Sequence, residues 1–215
     1  MFKLDRNSTV FVVDDDLAAR DSVTSMVRIM GLRTKSFQTA EDFLSENLLD
    51  QPGCLVADLR MPGMSGIALL ETLRESGSSL QVMLVTAYAD VTVAVDAMRR
   101  GAMTILEKPY RPQVLWDFIV RALQQDQQQR AAAARSTQIM DRIRRLNELE
   151  ASILEMIVND LPNKSIAGHL HISTRTVDHR RAEILAKLGM DNVKSLIWHL
   201  GAAGWPTAFD SISAH

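Results

Sequence analysis

Cysteine is nearly absent from the sequence, since Cys54 is the one cysteine among 215 residues. A disulfide framework within the chain is therefore excluded, and the composition is typical of a protein from a reducing cytoplasm. Cys54 lies in a short apolar run, which favours a buried and inert thiol over a reactive one. Hydrophobic residues make up 47% of the chain, enough for real cores. The length fits two small domains.

Long apolar runs are also lacking. Because no stretch of about 18 apolar residues is present, neither a membrane span nor a membrane partner is expected. The N-terminus has no signal-peptide pattern, since Asp14, Asp15 and Asp16 directly follow its apolar stretch. The expected location is the cytoplasm.

A strong excess of one charge is missing too. The formal net charge is −2, so the overall composition does not indicate a nucleic-acid-binding protein. The charge is uneven along the chain, however, because residues 162–190 carry five basic and two acidic side chains. This local basic segment is compatible with phosphate binding but is weak evidence by itself.

Short apolar segments alternate with helical periodicities in residues 1–125. The candidate strands are Val10–Val13, Leu55–Ala57, Val82–Val85 and Met103–Leu106, with a poorer strand around Arg33–Phe37. Continuous apolar strands separated by helices are typical of a parallel sheet covered on both faces. The pattern predicts a flavodoxin-like, doubly wound α/β domain with five parallel strands. Ligands of such sheets bind beyond the carboxyl ends of the strands.

The remainder of the chain has helical patterns. The segment QQDQQQRAAAAR contains no Gly or Pro and consists of strong helix formers. We interpret residues 126–145 as a solvated helical linker that continues the last helix of the α/β domain; a flexible tether is the alternative. Four apolar helical faces follow. Residues 146–205 are therefore predicted to form an all-α four-helix domain, and residues 206–215 a tail.

Acidic, hydroxyl and basic side chains follow the predicted strands at the same end. Asp14 and Asp15 follow the first strand, Asp58 follows the third, Thr86 ends the fourth and Lys108 ends the fifth. Clustered carboxylates bind a hard cation such as Mg²⁺, and one Asp can then act as a nucleophile. A Lys and a Thr can bind phosphoryl oxygens. Taken singly, each residue has an ordinary alternative, such as a turn, a helix cap or a solvated side chain.

Four of these segments resemble a known family. VVDDD, DLRMPGMSG, VTAYAD and ILEKPY resemble the signatures of response-regulator receiver domains over about residues 5–125. The resemblance implies that Asp58 accepts a phosphoryl group from a histidine kinase and that Thr86 and Lys108 bind this group. It also implies a Mg²⁺ site, whose ligands would be Asp14, Asp15, Asp58 and the backbone carbonyl of Arg60.

Two positions depart from the receiver pattern. Ile105 stands where many receivers carry Phe or Tyr, so the aromatic side chain that moves together with the Thr is missing. Gly63 stands where relatives often carry Asp, a change that we expect to be tolerated. The resemblance also implies a cis peptide bond between Lys108 and Pro109. Asp16 is interpreted as a helix N-cap rather than a metal ligand.

The segment LPNKSIAGHLHISTRTVDHRRAEILAKLG has the spacing of a helix-turn-helix, with Ser173 as the N-cap of its second helix. It resembles the LuxR/FixJ/NarL output domain over residues 146–200. Asp178 would accept a hydrogen bond from a base, or it is simply an acidic residue favoured by the helix dipole. The resemblance implies that the residues facing base edges are Asp178, His179 and Ala182. The residues approaching phosphates would be Lys164, Ser165, Arg175, Thr176 and Arg180.

The start of this second domain departs from the family pattern Leu-Thr-x-Arg-Glu. It reads Leu146-Asn147-Glu148-Leu149-Glu150, which loses the Thr cap and the Arg. Asn147 is the expected replacement cap. The helix Val193–Leu200 is expected to be the dimer helix of the output domain.

The sequence therefore predicts a phosphorylation-controlled, DNA-binding regulator of a two-component system rather than an enzyme. Phosphorylated Asp58 is expected to shift the fourth helix, whose face with Val91, Val95 and Arg99 forms a homodimer on double-stranded promoter DNA. RNA polymerase is a further implied partner. Three alternatives remain: a phosphatase, an RNA-binding protein, and a pseudo-receiver that acts as an interaction module with phosphorylation-independent DNA binding. The phosphatase is disfavoured because Arg60 stands where a DxD motif needs Asp.

Overall fold

The computed structural model describes residues 7–88 and 90–202 of the chain. The chain divides into two compact units, residues 1–129 and residues 130–215. The tail predicted for residues 206–215 lies outside the described residues. In the first unit, strands and helices alternate as the sequence predicts. The strands are β1 (Thr9–Val13), β2 (Arg33–Phe37), β3 (Gly53–Asp58), β4 (Gln81–Thr86) and β5 (Thr104–Glu107). The helices between and after them are α1 (Leu17–Ile29), α2 (Ala40–Ser45), α3 (Gly66–Glu75), α4 (Val91–Arg99) and α5 (Pro112–Ile143).

The five strands form one parallel sheet in the order β2-β1-β3-β4-β5. The predicted doubly wound α/β fold is confirmed. The order places β3 in the centre and β4 beside it, and every residue of both strands is buried. It also puts the carboxyl ends of β1, β3, β4 and β5 side by side. The predicted fifth strand is displaced by one residue, because the ladder with β4 begins at Thr104.

Hydrophobic cores cover both faces of the sheet. Alternate residues of β1 point to opposite faces, so that Phe11 packs with the core under α2, α3 and α4, and Val12 with the core under α1 and α5. Phe11 and Phe43 meet edge to face, with ring centroids 5.6 Å apart. Burial on both faces explains why the central strands are continuously apolar rather than alternating.

The helix α5 extends over 32 residues, from Pro112 to Ile143. The helix predicted for residues 126–145 is therefore confirmed as far as residue 143, and the flexible tether is wrong for the described backbone. The segment is not solvated throughout, because Asp126, Ile139 and Ile143 are buried. In the second unit, Ile139 and Ile143 are buried in the hydrophobic core of that unit. This packing is hard to predict from the sequence, because apolar residues are sparse in this part of α5 and the two isoleucines are a single helical turn apart.

The second unit completes its fold with four further helices. They are α6 (Glu148–Val158), α7 (Asn163–Leu170), α8 (Thr174–Leu188) and α9 (Val193–Ala202). All four contribute buried apolar residues to one core, among them Ile153, Ile166, Ile184 and Leu196. The predicted all-α four-helix domain is confirmed. In residues 7–88 and 90–202, no helix is both long enough and apolar enough to cross a membrane.

Candidate phosphorylation pocket and DNA-binding face

The carboxyl edge of the sheet brings three of the predicted site residues into direct contact. The ammonium group of Lys108 donates hydrogen bonds to Asp14 Oδ2 at 2.8 Å and to Asp58 Oδ1 at 2.6 Å. Asp14 and Asp58 are only 3% and 7% exposed. Each of these charge-assisted bonds is stronger than a neutral one, and burial strengthens both further. Lys108 thus lies between two buried carboxylates that would otherwise repel each other.

Backbone groups hold the second oxygen of each carboxylate. Asp14 Oδ1 accepts a hydrogen bond from the N–H of Asp16 at 3.0 Å, and Asp58 Oδ2 accepts one from the N–H of Arg60 at 2.7 Å. Asp16 itself caps α1, as predicted, by accepting from the N–H of Ala18. The orientation of both buried carboxylates is therefore fixed by the turns that follow their strands.

Burial and hydrogen bonding act in opposite directions on the pKa values of Asp14 and Lys108. Burial raises the pKa of Asp14 above its usual range, and the hydrogen bond from Lys108 opposes this shift only in part. Burial alone would lower the pKa of Lys108, but the hydrogen bonds to Asp14 and Asp58 outweigh it, so that this pKa is raised. With Lys108 charged and both carboxylates ionised, the group keeps one unit of surplus negative charge, which favours a cation.

Thr86 lies at the end of β4 and is 1% exposed. Its hydroxyl donates to the backbone carbonyl of Tyr88 at 3.0 Å and accepts from the N–H of Tyr88 at 3.3 Å. The hydroxyl is therefore engaged with the loop that leads to α4, and it is not part of the hydrogen bonds that join Asp14, Lys108 and Asp58. The cis peptide bond expected between Lys108 and Pro109 is present.

Asp15 is solvent-exposed and lies outside this hydrogen-bonded group, and Arg60 is exposed as well. Among the residues that the structure describes, no group of three or more His, Cys, Asp or Glu side chains converges as metal donors. The donors that the pocket does offer are carboxylate and carbonyl oxygens, the ligand type that Mg²⁺ prefers. Together with the surplus negative charge, this donor set fits a magnesium ion.

Sequence reasoning missed the role of Gly66, the first residue of α3. A Cβ atom at this position would lie 2.3 Å from the backbone oxygen of Asp58 and 3.0 Å from the Leu84 side chain. Only glycine allows α3 to start this close to the end of β3. The sequence offered only a slight signal for this role, namely that Gly66 directly follows Ser65. The structure shows Ser65 to be the N-cap of α3.

The second unit contains a helix-turn-helix formed by α7 and α8. His171 ends α7 in a left-handed conformation with φ of 54°, and Ser173 begins α8 by accepting a hydrogen bond from the N–H of Thr176 at 3.1 Å. The predicted N-cap at Ser173 is confirmed, and α8 begins at the next residue, Thr174. A short turn between two helices of this kind is the framework on which major-groove readers are built.

The residues predicted to contact DNA all lie on the surface of this unit. Ser165 and Arg180 are partly exposed, and the other six are exposed: Lys164, Arg175, Thr176, Asp178, His179 and Ala182. Four of the eight line one shallow groove together with Ser173 and Glu183: Arg175, Thr176, His179 and Arg180. Lys164, Ser165, Asp178 and Ala182 lie outside that groove.

Glu183 changes the charge of the predicted contact surface. Its Oε2 accepts a hydrogen bond from Arg180 at 3.0 Å and lies 3.5 Å from His179 Nδ1. The positive charge of Arg180 is therefore partly neutralised within the protein. In the part of the chain that the structure describes, Arg175 has no such carboxylate partner, and its guanidinium group faces solvent.

Asp178 has a partner that the sequence did not reveal. The side-chain amide of Asn163, at the start of α7, donates a hydrogen bond to Asp178, and Arg181 donates to Asn163 Oδ1 at 3.1 Å. Asn163 thereby links two residues of α8 that lie one turn apart. Asp178 thus has a structural role between the two helices, which neither reading of the sequence included.

The start of α6 keeps its hydrogen bonds despite its altered sequence. Asn147 accepts from the N–H of Glu150, and Glu150 accepts in return from the N–H of Asn147, which forms a capping box. Lys187 of α8 donates to Glu150 and lowers the pKa of this carboxyl group. The predicted cap at Asn147 is confirmed. Lys187, which the sequence placed in the basic segment, is paired within the protein.

Two family comparisons cover most of this chain. Residues 10–120 match the response regulator receiver domain, and residues 145–200 match the luxR family of bacterial regulatory proteins. The transcriptional regulatory protein FixJ of Rhizobium meliloti (strain 1021) is 37% identical over 197 residues, which cover 92% of this chain and 97% of FixJ. The chain belongs to the response regulators with a luxR-type output domain.

Other proteins align with this response regulator over most of their own length. The transcriptional regulatory protein TdiR of Thauera aromatica is 35% identical over 190 residues, which cover 88% of this chain and 84% of TdiR. Among solved structures, the response regulator StyR has a TM-score of 0.74 at 36% identity and covers 91% of this chain and 99% of its own.

Membership of this family gives the response regulator its general function. It is a two-component transcription regulator, in which the receiver implies a histidine kinase as partner and the luxR-type domain implies DNA binding. Receiver domains in general bind Mg²⁺ at an acidic pocket. The two regions described above, at the carboxyl edge of the sheet and on α7 and α8, are where these activities are expected.

Proposed function

We propose that a histidine kinase transfers a phosphoryl group to Asp58 of this response regulator and that the modified protein binds promoter DNA as a homodimer. The observation that carries the proposal is the position of Lys108, whose ammonium group hydrogen-bonds both Asp14 and Asp58 at the edge of the sheet. A buried aspartate at the end of a central strand, held in place by a backbone N–H, is well oriented for nucleophilic attack.

The chemistry follows from the groups around Asp58. A carboxylate oxygen of Asp58 attacks the phosphorus atom of the kinase phosphohistidine, the P–N bond breaks, and an acyl phosphate forms on Asp58. A Mg²⁺ ion, held by Asp14, Asp15, Asp58 and the carbonyl of Arg60, would neutralise phosphoryl oxygen charge. Lys108 keeps its place beside Asp58 and donates to a phosphoryl oxygen instead of the free carboxylate.

Thr86 connects the phosphoryl group to α4. Its hydroxyl can donate one hydrogen bond at a time. The acceptor is the Tyr88 carbonyl before phosphorylation and a phosphoryl oxygen afterwards. The loss of the Thr86 bond frees the loop that precedes α4. Ala97 is the only fully buried residue of this helix, so α4 has little packing to hold it in place. A shift of α4 in population between two positions is the proposed response.

The exposed face of α4 is the proposed receiver dimer surface. Val91 is 78% exposed and Val95 44%, and both line a groove whose surface is mainly apolar. Its other lining residues are Ile67, Thr92, Val93, Asp96 and Arg99. Contiguous exposed apolar groups of this kind are typical of protein interfaces. Two copies joined here would present two α8 helices to a two-fold DNA site, with α9 extending the dimer. We further propose that the dimer contacts RNA polymerase at the promoter and that the protein is located in the cytoplasm, where that DNA lies.

The measurement that tests the switch is the solution mass by light scattering, with and without Mg²⁺ and beryllofluoride. We expect a monomer near 24.0 kDa to become a dimer of twice that mass when both ions are present. Val91→Glu on the α4 face should abolish the change, because it places a charge in the apolar interface. The matched control is Ile29→Glu on α1, an equally exposed apolar residue that should leave the response intact. A mass that stays at the monomer value in the wild type would contradict the proposal.

Two substitutions on α8 should separate affinity from base choice. Arg175→Ala is expected to weaken binding to all DNA sequences alike and to reduce the slope of log K against log salt by about one, because one phosphate contact is lost. His179→Ala should instead relax the preference at one or two base pairs, where discrimination is typically about 1–3 kcal/mol. Binding to a randomised DNA library at two salt concentrations measures both effects. Lys35→Ala, an exposed cation of the receiver outside the proposed DNA and dimer contacts, is the control. Equal profiles for Arg175→Ala and His179→Ala would reject the assignment.

A further inference from the structure

The part of α5 that follows the receiver core contains one buried acidic residue. Asp126 is 1% exposed, although it stands within the segment Gln124–Gln129, in which every other residue is a glutamine and four of the five are exposed. A carboxylate is costly to bury unless it is hydrogen-bonded. Its burial in an otherwise solvated stretch therefore indicates a specific contact at this point of the helix.

Asp126 makes that contact with the first residue of β3. Its Oδ2 accepts a hydrogen bond from the backbone N–H of Gly53 at 3.1 Å. Gly53 cannot be replaced easily, because a Cβ atom there would lie 2.0 Å from the backbone oxygen of Thr9. One turn further along α5, Gln129 accepts a hydrogen bond from the side chain of Gln81, the first residue of β4, at 3.2 Å. We refer to these two interactions, Asp126–Gly53 and Gln129–Gln81, as the α5 base contacts.

The two strands held by the α5 base contacts carry two of the groups proposed to act in phosphorylation, Asp58 and Thr86. β3 begins at Gly53 and ends at Asp58, and β4 begins at Gln81 and ends at Thr86. Each strand has six residues, all of them buried, and is about 17 Å long. Because ladder hydrogen bonds hold each of them on both sides, either strand can transmit a displacement from its carboxyl end to its amino end. The same helix then continues to Ile139 and Ile143, which pack in the core of the DNA-binding unit.

We propose that Asp126 is a positioning residue, which holds α5 against the amino ends of β3 and β4 and so couples the state of Asp58 to the DNA-binding unit. This inference rests on the proposed phosphorylation of Asp58. Asp126 lies at the opposite end of β3 from Asp58, so it does not touch the reacting atoms. Its effect is on the coupling between phosphorylation and DNA affinity rather than on the phosphorylation reaction.

The test compares the full-length wild type with Asp126→Ala, Asp126→Asn and the control Gln127→Ala, which alters an exposed neighbour on the same helix. Two quantities are measured for each: the rate of Asp58 labelling by acetyl phosphate, and the ratio of DNA affinities with and without beryllofluoride and Mg²⁺. We expect Asp126→Ala to lower this ratio at least about fivefold, toward one, while the labelling rate stays within about twofold. Asp126→Asn should keep the ratio, because its amide oxygen still accepts from Gly53, and Gln127→Ala should match the wild type.

Two results would overturn the inference. One is an Asp126→Ala protein whose affinity ratio stays within about twofold of the wild type. The other is a loss of labelling at Asp58 that parallels the loss of coupling, which would make Asp126 a general stabilising residue. If Asp126→Ala does not fold, Gln129→Ala tests the inference instead, because it removes the other α5 base contact. It is expected to lower the affinity ratio while labelling of Asp58 is kept. An unchanged ratio would count against the inference.

Hydrogen exchange at the Gly53 amide separates this inference from the proposed function. The amide should exchange slowly in the wild type and at least about tenfold faster in Asp126→Ala, because its acceptor is removed. A wild type that shows no labelling at Asp58 refutes the proposed function even where Gly53 is protected. Normal labelling together with a Gly53 amide that exchanges equally fast in both proteins refutes the base contact alone.

Discussion

Asp58→Asn is expected to remove the phosphodonor-induced rise in DNA affinity. The substitution keeps the shape of the side chain, and the amide oxygen can still accept the hydrogen bond from the N–H of Arg60, so the receiver should remain folded. What is lost is the nucleophilic carboxylate. Coupling between two sites of a regulator is typically worth about 5- to 150-fold in affinity, and this whole factor should disappear. DNA binding with and without acetyl phosphate and Mg²⁺ measures it.

The matched control for this experiment is Asp117→Asn. Asp117 is an exposed aspartate on α5 that accepts a hydrogen bond from the neighbouring Gln113 side chain at 2.8 Å, and its replacement should leave the response unchanged. A phosphodonor that still raises the DNA affinity of Asp58→Asn would show that the phosphorylation site lies elsewhere. DNA binding that ignores the phosphodonor in the wild type as well would support the pseudo-receiver alternative.

Lys108→Met is expected to give the largest loss of stability among substitutions in the pocket. It leaves Asp14 and Asp58 facing each other in a buried site without a counter-charge. Breaking a buried ion pair by removing one partner costs about 3–5 kcal/mol, and since Lys108 is 24% exposed we expect about 2–3 kcal/mol. The free energy of unfolding should be measured in urea without Mg²⁺, with Trp116 as the remaining fluorophore after Trp198→Phe and Trp205→Phe.

A second substitution identifies the cause of this loss. Adding Asp14→Asn to Lys108→Met removes the repulsion between the carboxylates and should restore at least half of the lost stability. Lys35→Met is the control, because Lys35 pairs with Glu46 at an exposed site and should contribute less than about 1 kcal/mol. Equal losses for Lys108→Met and Lys35→Met would show that the bridge between Asp14 and Asp58 contributes little.

The fold and the core of the pocket follow from local patterns. Parallel strands end at one edge of a sheet, so residues at the strand ends, such as Asp14, Asp58 and Lys108, are expected to lie close together. This expectation requires no knowledge of side-chain conformations. Contacts that depend on rotamers are not visible in this way. The hydrogen bonds of Thr86 to Tyr88 and of Asp126 on α5 to Gly53 on β3 join residues that no sequence periodicity relates.

The DNA-binding unit shows the same division. The spacing of apolar residues predicts four helices, and Ser173 marks the start of α8 because capping is a local interaction. The link from Asn163 to Asp178, by contrast, joins residues 15 positions apart. The role of Ile139 and Ile143 escaped prediction for a related reason: two apolar residues in a polar helix are too few to indicate which core they enter.

The capping box at the start of α6 bears on how the sequence of this family can drift. Asn147 supplies one oxygen to one backbone N–H, and Ser, Thr or Asp can do the same at nearly equal free energy. This position is therefore free to exchange among four residue types over evolutionary time. Glu150 accepts two hydrogen bonds, one from the Asn147 backbone and one from Lys187, and a shorter or uncharged side chain can accept only one of them. Substitutions should accumulate first at the residue with the single bond.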